Sequence, residues 1–338
     1  MLITQEQTLT KYSQKISEIE NHISALKKLI DKLSLYRVGL FLLEIFFFVL
    51  LLKSDNDGWR ALIQISLVIP VLVFAFIVRK QSLLDTAVSY QKELLWVYQN
   101  ESNVLNGKPN GYDHGEKYES ELHPYTSDLD IFGPSSLFAL INRCSTKNGN
   151  DQLALKLSKA SSLAEIHQRQ EAVKEVASKI DESFDFRANL HGHESNQIEL
   201  IKEQLTHQLG EKLDFVRRAL LRFYVKLAPY ISLGLILSGI FISGTFWNIL
   251  VIYLIINMGL NILLNAKINQ VFYGFGGGSN LLNGYAEAIL WTEKIDWKSS
   301  YILELFDSKI PVSKEIKSLS KIIQNFDARL NLIVGGIL

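Results

Sequence analysis

Three short clusters in this 338-residue chain bring together side chains able to do chemistry. Asp128-Leu-Asp130 spaces two carboxylates as some metal-dependent transferases do, and paired carboxylates suit a hard divalent cation. The same two residues can instead cap the helix region near Pro134 or pair with a base. His191-Gly-His193-Glu194 offers two imidazoles and a carboxylate to a metal. No third separated histidine or cysteine completes a four-ligand set, so a solvated loop between helices is the competing reading. Gly274-Phe-Gly-Gly-Gly-Ser279 has amides bare enough to cradle phosphate. It lacks the lysine of a phosphate loop and follows an apolar run rather than a strand, which is the pattern of a juxtamembrane hinge. Cys144 is the one cysteine, which excludes an intrachain disulfide framework and a cysteine-built zinc site. No serine, histidine and acid signature is present either, so no catalytic, metal-binding or cofactor-binding residue is expected in this chain.

A fourth residue is notable for its surroundings. Glu44 stands inside Phe41-Leu-Leu-Glu-Ile-Phe-Phe-Phe-Val-Leu-Leu-Leu52. A carboxylate there, if the run crosses a bilayer, costs a few kcal/mol on insertion scales (about 3) unless it is protonated or finds a partner on another helix. Gln64, Ser66, Asn257 and Asn261 are the candidate partners; proton or ion transport is the sharper alternative to a hydrogen bond between helices.

The elements that must position these residues begin with two pairs of apolar runs. Tyr36 to Leu52 and Ala61 to Val78 form the first pair, Leu227 to Phe246 and Asn248 to Leu264 the second. Each is about long enough to cross a hydrocarbon core at roughly 1.5 Å per residue. They are apolar all round, unlike the one-sided helix of a soluble protein, and Tyr36, Trp59, Tyr230 and Trp247 sit where an interface favours aromatic rings. Lys27, Lys28, Lys32 and Arg37 precede the first run, and Arg79 and Lys80 follow the second; Arg217, Arg218, Arg222 and Lys226 precede the third, and Lys267 follows the fourth. That asymmetry predicts a multi-pass membrane protein with both termini and the central region cytoplasmic. No cleavable signal peptide is visible, and the first span is expected to double as the targeting signal. The 35 basic and 35 acidic residues balance, so the composition carries no general attraction to nucleic acid.

The rest reads as helices, and the expected class is all-α. Leu9, Ile16, Ile19, Ile23, Leu26, Ile30 and Leu33 recur at helical spacing, and Val88, Leu94, Leu95, Val97 and Tyr98 provide a second stripe to pair with them. Glycine and proline punctuate Asn106 to Ser127 as a linker. Pro134 with Ser135 or Ser136 opens a helix with Leu137, Phe138, Leu140 and Ile141 as its buried face; Gly149 is expected to end that element and Asp151 to cap the next. Ser162 and Glu165 have capping-box spacing, with Ile166, Ala172, Val173 and Val176 turned inward. A polar helix from Glu194 to Lys226 leads into the third span, and helices resume at Leu281 to Glu293, Ser299 to Phe306 and Val312 to Val334.

Within this plan, Asp128, Asp130, Phe132, Gly133, Ser136 with Leu137, Asn142 with Arg143, Gly149, Leu153, Leu157, Ile166 and the pair Arg169-Gln170 form a pattern that resembles the start of the core, or lever, domain of the MutS family. Cys144 stands where that family usually has threonine. Asn325-Phe-Asp-Ala-Arg-Leu-Asn331 resembles the returning lever. The arrangement is similar to a membrane-anchored branch of the family, with one hairpin at the N-terminus and a second inserted in the lever. The resemblance implies six segments: an N-terminal amphipathic helix (1–35), a first transmembrane hairpin (36–80), a helix and linker (81–127), a lever-type core (128–226), a second hairpin (227–266) and returning helices (267–338). It further implies an ATPase domain with ATP and magnesium beyond residue 338, dimerisation through that domain, and the N-terminal half of a longer protein or a natural truncation. No Gly-xxxx-Gly-Lys-Ser/Thr loop occurs in this sequence, nor the Phe-x-Glu wedge of mismatch readers, and the second hairpin takes the place of the DNA clamp. The expected role is therefore a non-catalytic coupling part. A four-span scaffold or transporter using Glu44, and DNA binding through Arg143, Arg169 and Lys174, remain as alternatives.

Overall fold

Helix α1 (Gln5–Lys53) and helix α2 (Asp57–Leu105) each run 49 residues in a computed structural model that describes residues 4–53, 57–193, 196–208, 219–272, 278–306 and 311–329. At about 1.5 Å per residue each rod is roughly 70 Å long. The amphipathic stretch and the apolar run, expected as two segments meeting at residue 35, are one helix. Composition changes there but nothing interrupts the backbone, since neither proline nor glycine lies between Leu33 and Val38. Pro70 lies inside α2 without ending it.

The two halves of this helix pair pack differently. Tyr12, Ile19, Ile23 and Leu26 of α1 close on Val88, Val97 and Tyr98 of α2, as the paired stripes predict, and Phe184 and Ala188 join them from α6 (Ile180–Leu190). Beyond Leu35 the apolar side chains stay on the outside, Phe41 at 62 % and Leu72 at 65 % exposure. Four helices among the described residues are long and apolar enough to cross a membrane, and at most 11 % of any apolar window is buried. The fold is all-α, with no strand among the described residues.

Between α2 and α6, after a single 3-10 turn (Glu116–Tyr118), lie α3 (Leu137–Ile141), α4 (Lys147–Leu157) and α5 (Leu163–Ala177). Ser136 caps α3 by accepting from Ala139 N, and Ser162 caps α5 by accepting from Glu165 N. The expected role of Gly149 is corrected. It sits in the first turn of α4, where its N–H donates to Thr146 Oγ1 at 3.1 Å, so Thr146 rather than Asp151 caps that helix. A Cβ on Gly149 would lie 2.9 Å from Thr146 Oγ1 and 3.1 Å from Cys144 Cβ, which explains the glycine without any helix stop. The inward faces also differ from expectation. Only Phe138 and Ala139 of α3 are buried, because a five-residue helix has one inward side; Leu137, Leu140 and Ile141 are exposed. On α5, Ala172 is buried and Val176 packs beside it, whereas Ile166 and Val173 lie outside that narrow strip.

Onward, the chain forms α7 (Gln197–Glu203), one π-helical turn (Gln204–Gln208), α8 (Ala219–Phe241), α9 (Thr245–Phe272), α10 (Gly278–Lys294), α11 (Ser300–Leu305) and α12 (Val312–Arg329). Arg217, Arg218, Glu194, the glycines from Gly274 to Gly277 and Leu330 onward lie outside the described residues.

Two compact units result. Met1–Ser195 with Gly284–Ser313 is one, Asn196–Asn283 with Lys314–Leu338 the other. In the first, carboxylates from afar cap helices: Glu175 accepts from the N–H groups of Lys298 and Ser299 at 2.9 and 2.8 Å ahead of α11, and Glu293 accepts from Ser313 N at 3.1 Å. In the second, α8 and α9 make the second hairpin: Trp247 covers Gly239, Tyr253 OH donates to Ala228 O at 3.2 Å, and Tyr224 OH donates to Asn257 Oδ1 at 2.7 Å.

Candidate functional site

Asn142 is the centre of the best-organised cluster, and its side chain is fully buried. Nδ2 donates to Asp113 O at 2.8 Å and to Asn150 Oδ1 at 2.9 Å, while Oδ1 accepts from Cys144 N at 2.9 Å. Its main-chain oxygen accepts from Asn110 Nδ2 at 2.8 Å, which also donates to Ala139 O. Asn100 of α2 donates to Asn110 Oδ1 at 3.0 Å and accepts from Gly111 N at 2.7 Å. Four asparagines thus tie the end of α2 to the linker, to α3 and to α4. A buried polar network of this kind fixes one arrangement because each unmade bond would cost desolvation without return.

The residue after Asn142 extends the tie. Arg143 donates from Nε to Glu101 Oε1 at 2.5 Å and from Nη2 to Oε2 at 3.2 Å; its Nη1 donates to the carbonyls of Leu140 and Asn142. Arg187 of α6 reaches the same Glu101 Oε1 at 2.7 Å and lies over the Phe184 ring. Burial alone would raise the Glu101 carboxyl, but the Arg143 hydrogen bonds and the Arg187 charge outweigh it and hold the group below the ordinary glutamate value. With its fork spent on Glu101 and two carbonyls, Arg143 is built as a brace rather than as a contact to a nucleic-acid phosphate.

Other motif residues take lesser places around this core. Ile131 and Phe132 pack with Phe138 and Ala154. Gly133 has φ 105°, and a Cβ there would lie 2.5 Å from Glu119 Oε1, so only glycine fits. Asp128 and Asp130 are exposed and cap no helix; Asp130 contributes its main-chain carbonyl, which accepts from Leu137 N at 3.0 Å. No group of three metal-ligating side chains occurs among the described residues. Arg169 pairs with Glu165, which also takes Lys156 Nζ at 3.0 Å, and Gln170 is exposed. The Arg169-Gln170 pair therefore belongs to a separate surface cluster, not to the asparagine core.

The remaining chemical candidates are likewise occupied or apart. His191 Nδ1 lies 2.5 Å from Glu93 Oε2, and its ring stacks on Trp96 at 3.7 Å, joining the end of α6 to α2. Burial pushes the His193 imidazole below its usual value. Burial also pushes the Cys144 thiol up, the opposite of an activated nucleophile. Gly278 and Ser279 begin α10. Glu44 differs from all of these: its Oε2 is buried with no hydrogen-bond partner, while Ser66 donates to Leu62 O and Asn257 is engaged within the second hairpin.

Asn100, Glu101, Asn110, Asn150 and Arg187 are the residues that sequence reasoning missed. One signal was available: Asn100 and Glu101 lie three and four residues after Val97, on the buried stripe of α2, where a polar side chain needs a partner. Comparison with protein-family models, with characterised proteins and with solved structures gives no match for this chain.

Proposed function

We propose that this chain is the membrane-anchoring, non-catalytic lever of a MutS-related ATPase, whose ATPase domain would lie beyond residue 338. One observation carries the reading: α2 runs unbroken from the first hairpin to Asn100 and Glu101, and there Asn100 is bonded to Asn110 of the linker and Glu101 to Arg143, inside the segment that resembles the family's lever. A rod fixed at one end in that segment and set at the other in the bilayer is suited to carry motion between an ATPase and the membrane or a partner held there. The basic residues at the feet of the hairpins support an orientation with both termini and the central region cytoplasmic. ATP titration of residues 1–338 tests the non-catalytic assignment, and reading the gene past the codon for Leu338 tests the family. No saturable ATP binding and an in-frame phosphate loop downstream are expected; micromolar ATP affinity in this chain overturns the proposal.

A second reading has its own observation. The unpartnered Glu44 Oε2 favours a proton- or ion-handling role for the first hairpin. Flux through reconstituted vesicles decides it: wild-type flux that Glu44→Gln abolishes supports transport, and equal flux in both dismisses it. DNA binding has less support, since Arg143 and Arg169 are both paired with carboxylates and only Lys174 stands free at the surface. A salt-dependent shift with duplex DNA would revive it.

A further inference from the structure

The foot of the first hairpin carries an unusual charge balance. Lys27, Lys28, Lys32 and Arg37 on α1 and Arg79 and Lys80 on α2 are opposed by only two acids in the flanking turns, Asp31 and Asp85. All but Arg37 are exposed, and none of the six forms an ion pair among the described residues. Elsewhere in the same unit Lys11, Arg143, Lys156, Arg169 and Arg187 meet carboxylates, while single surface lysines such as Lys174 form no ion pair among the described residues; what sets the foot apart is that six cations gather there. Arg37 is held in place rather than loose: Nη1 donates to Gln81 Oε1 at 3.0 Å, the guanidinium lies over the Phe74 ring at 5.2 Å, and Nε is buried with no hydrogen-bond partner. The Arg37–Gln81 bond brings Lys80 and Arg79 level with the start of the apolar half of α1. Lys32, Lys28 and Lys27 follow below within about 15 Å of helix axis.

From this arrangement we infer that the foot of the first hairpin binds anionic phospholipid headgroups, with Arg37 as the fixed element and the five exposed cations as a collar around it. The surface carries six cations against two acids, none of the six is ion-paired among the described residues, and it sits where exposed apolar rods give way to a buried stripe, so the phosphate layer of the membrane is a complement available to it. The inference goes beyond the lever proposal and does not depend on it.

The test uses the full chain in phosphatidylcholine bilayers containing spin-labelled phosphatidylglycerol or spin-labelled phosphatidylcholine, with electron paramagnetic resonance reporting lipid association at the protein boundary. Phosphatidylglycerol is expected to be favoured by about fivefold or more, the factor that one cation near the surface contributes. The preference should fall toward unity in about 0.5 M NaCl, where charges are screened within a few ångströms. It should fall similarly in the variant Lys28→Gln, Lys32→Gln, Arg37→Gln, Lys80→Gln. Equal association of the two lipids at low salt overturns the inference, and so does a preference that survives both salt and substitution. If the variant fails to insert, the salt series on the wild-type chain decides alone.

Discussion

Two places where α1 and α2 carry buried polar groups differ in kind. At the Asn100–Glu101 end the carboxylate and the amide meet donors and acceptors from three other segments, the linker, the α3–α4 connection and α6. In the hairpin, Glu44 has a buried oxygen with none. Outside the apolar runs some buried atoms also lack a partner, Asp181 Oδ1, Arg169 Nε and Arg187 Nε among them, but the Glu101 carboxylate and the Asn100 amide have theirs, whereas Glu44 Oε2 has none. The contrast marks the Asn100–Glu101 cluster as a structural tie between segments and Glu44 as a titratable side chain in the hairpin whose buried oxygen has no hydrogen-bond partner.

The comparison breaks most readily at Glu101. Replacing it with alanine leaves two largely buried guanidinium groups facing each other, and a loss of about 3 to 5 kcal/mol is expected. Thermal unfolding of the full chain in detergent should show a lower midpoint with early loss of α6 protection in hydrogen exchange. Asn142→Ala comes next, at about 2 to 3 kcal/mol, because Asn150 Oδ1, Cys144 N–H and the Asp113 carbonyl lose their partner. The same midpoint shift measures it.

A pH series sharpens the same point with a smaller effect. Glu101 is held below its ordinary value in the folded state, so its contribution is fully present above the unfolded glutamate pKa of about 4.3 and is lost as pH falls through the lower folded value. Wild-type protein should therefore lose stability on acidification more steeply than Glu101→Gln, which lacks the titrating group; parallel acid limbs would contradict the assignment. Smallest of all are Arg169→Ala and Glu44→Gln. The first breaks a surface pair and should shift stability within about 0.5 kcal/mol. The second replaces a carboxyl whose buried oxygen has no hydrogen-bond partner, so the helix pair should assemble unchanged.

Much of the frame could be read from residue spacing. The stripe from Leu9 to Leu33 and its mate around Val88 to Tyr98 obey helical periodicity, and their packing follows directly. The all-round apolar runs announce themselves by composition. Gly149 misled because glycine so often stops a helix, whereas here the deciding residue is Thr146, whose hydroxyl needs a close, side-chain-free amide at the third helical position. Leu140 and Val173 misled because an apolar residue on a short helix need not face its core. The asparagine core was hidden for another reason. Asparagine is mostly a surface residue, and only the fold brings positions 100, 110, 142 and 150 within reach of one another.

The central claim is that one rigid rod connects the membrane hairpin to the asparagine core. It is tested most directly by pulsed electron–electron distance measurement between spin labels at Leu72 and Gln99, both exposed on α2, with Cys144 replaced by serine in the full chain. Twenty-seven residues of unbroken helix predict a single narrow distribution near about 40 Å, the same in detergent and in bilayers. A broad or two-peaked distribution, or one centred well short of that length, would contradict it.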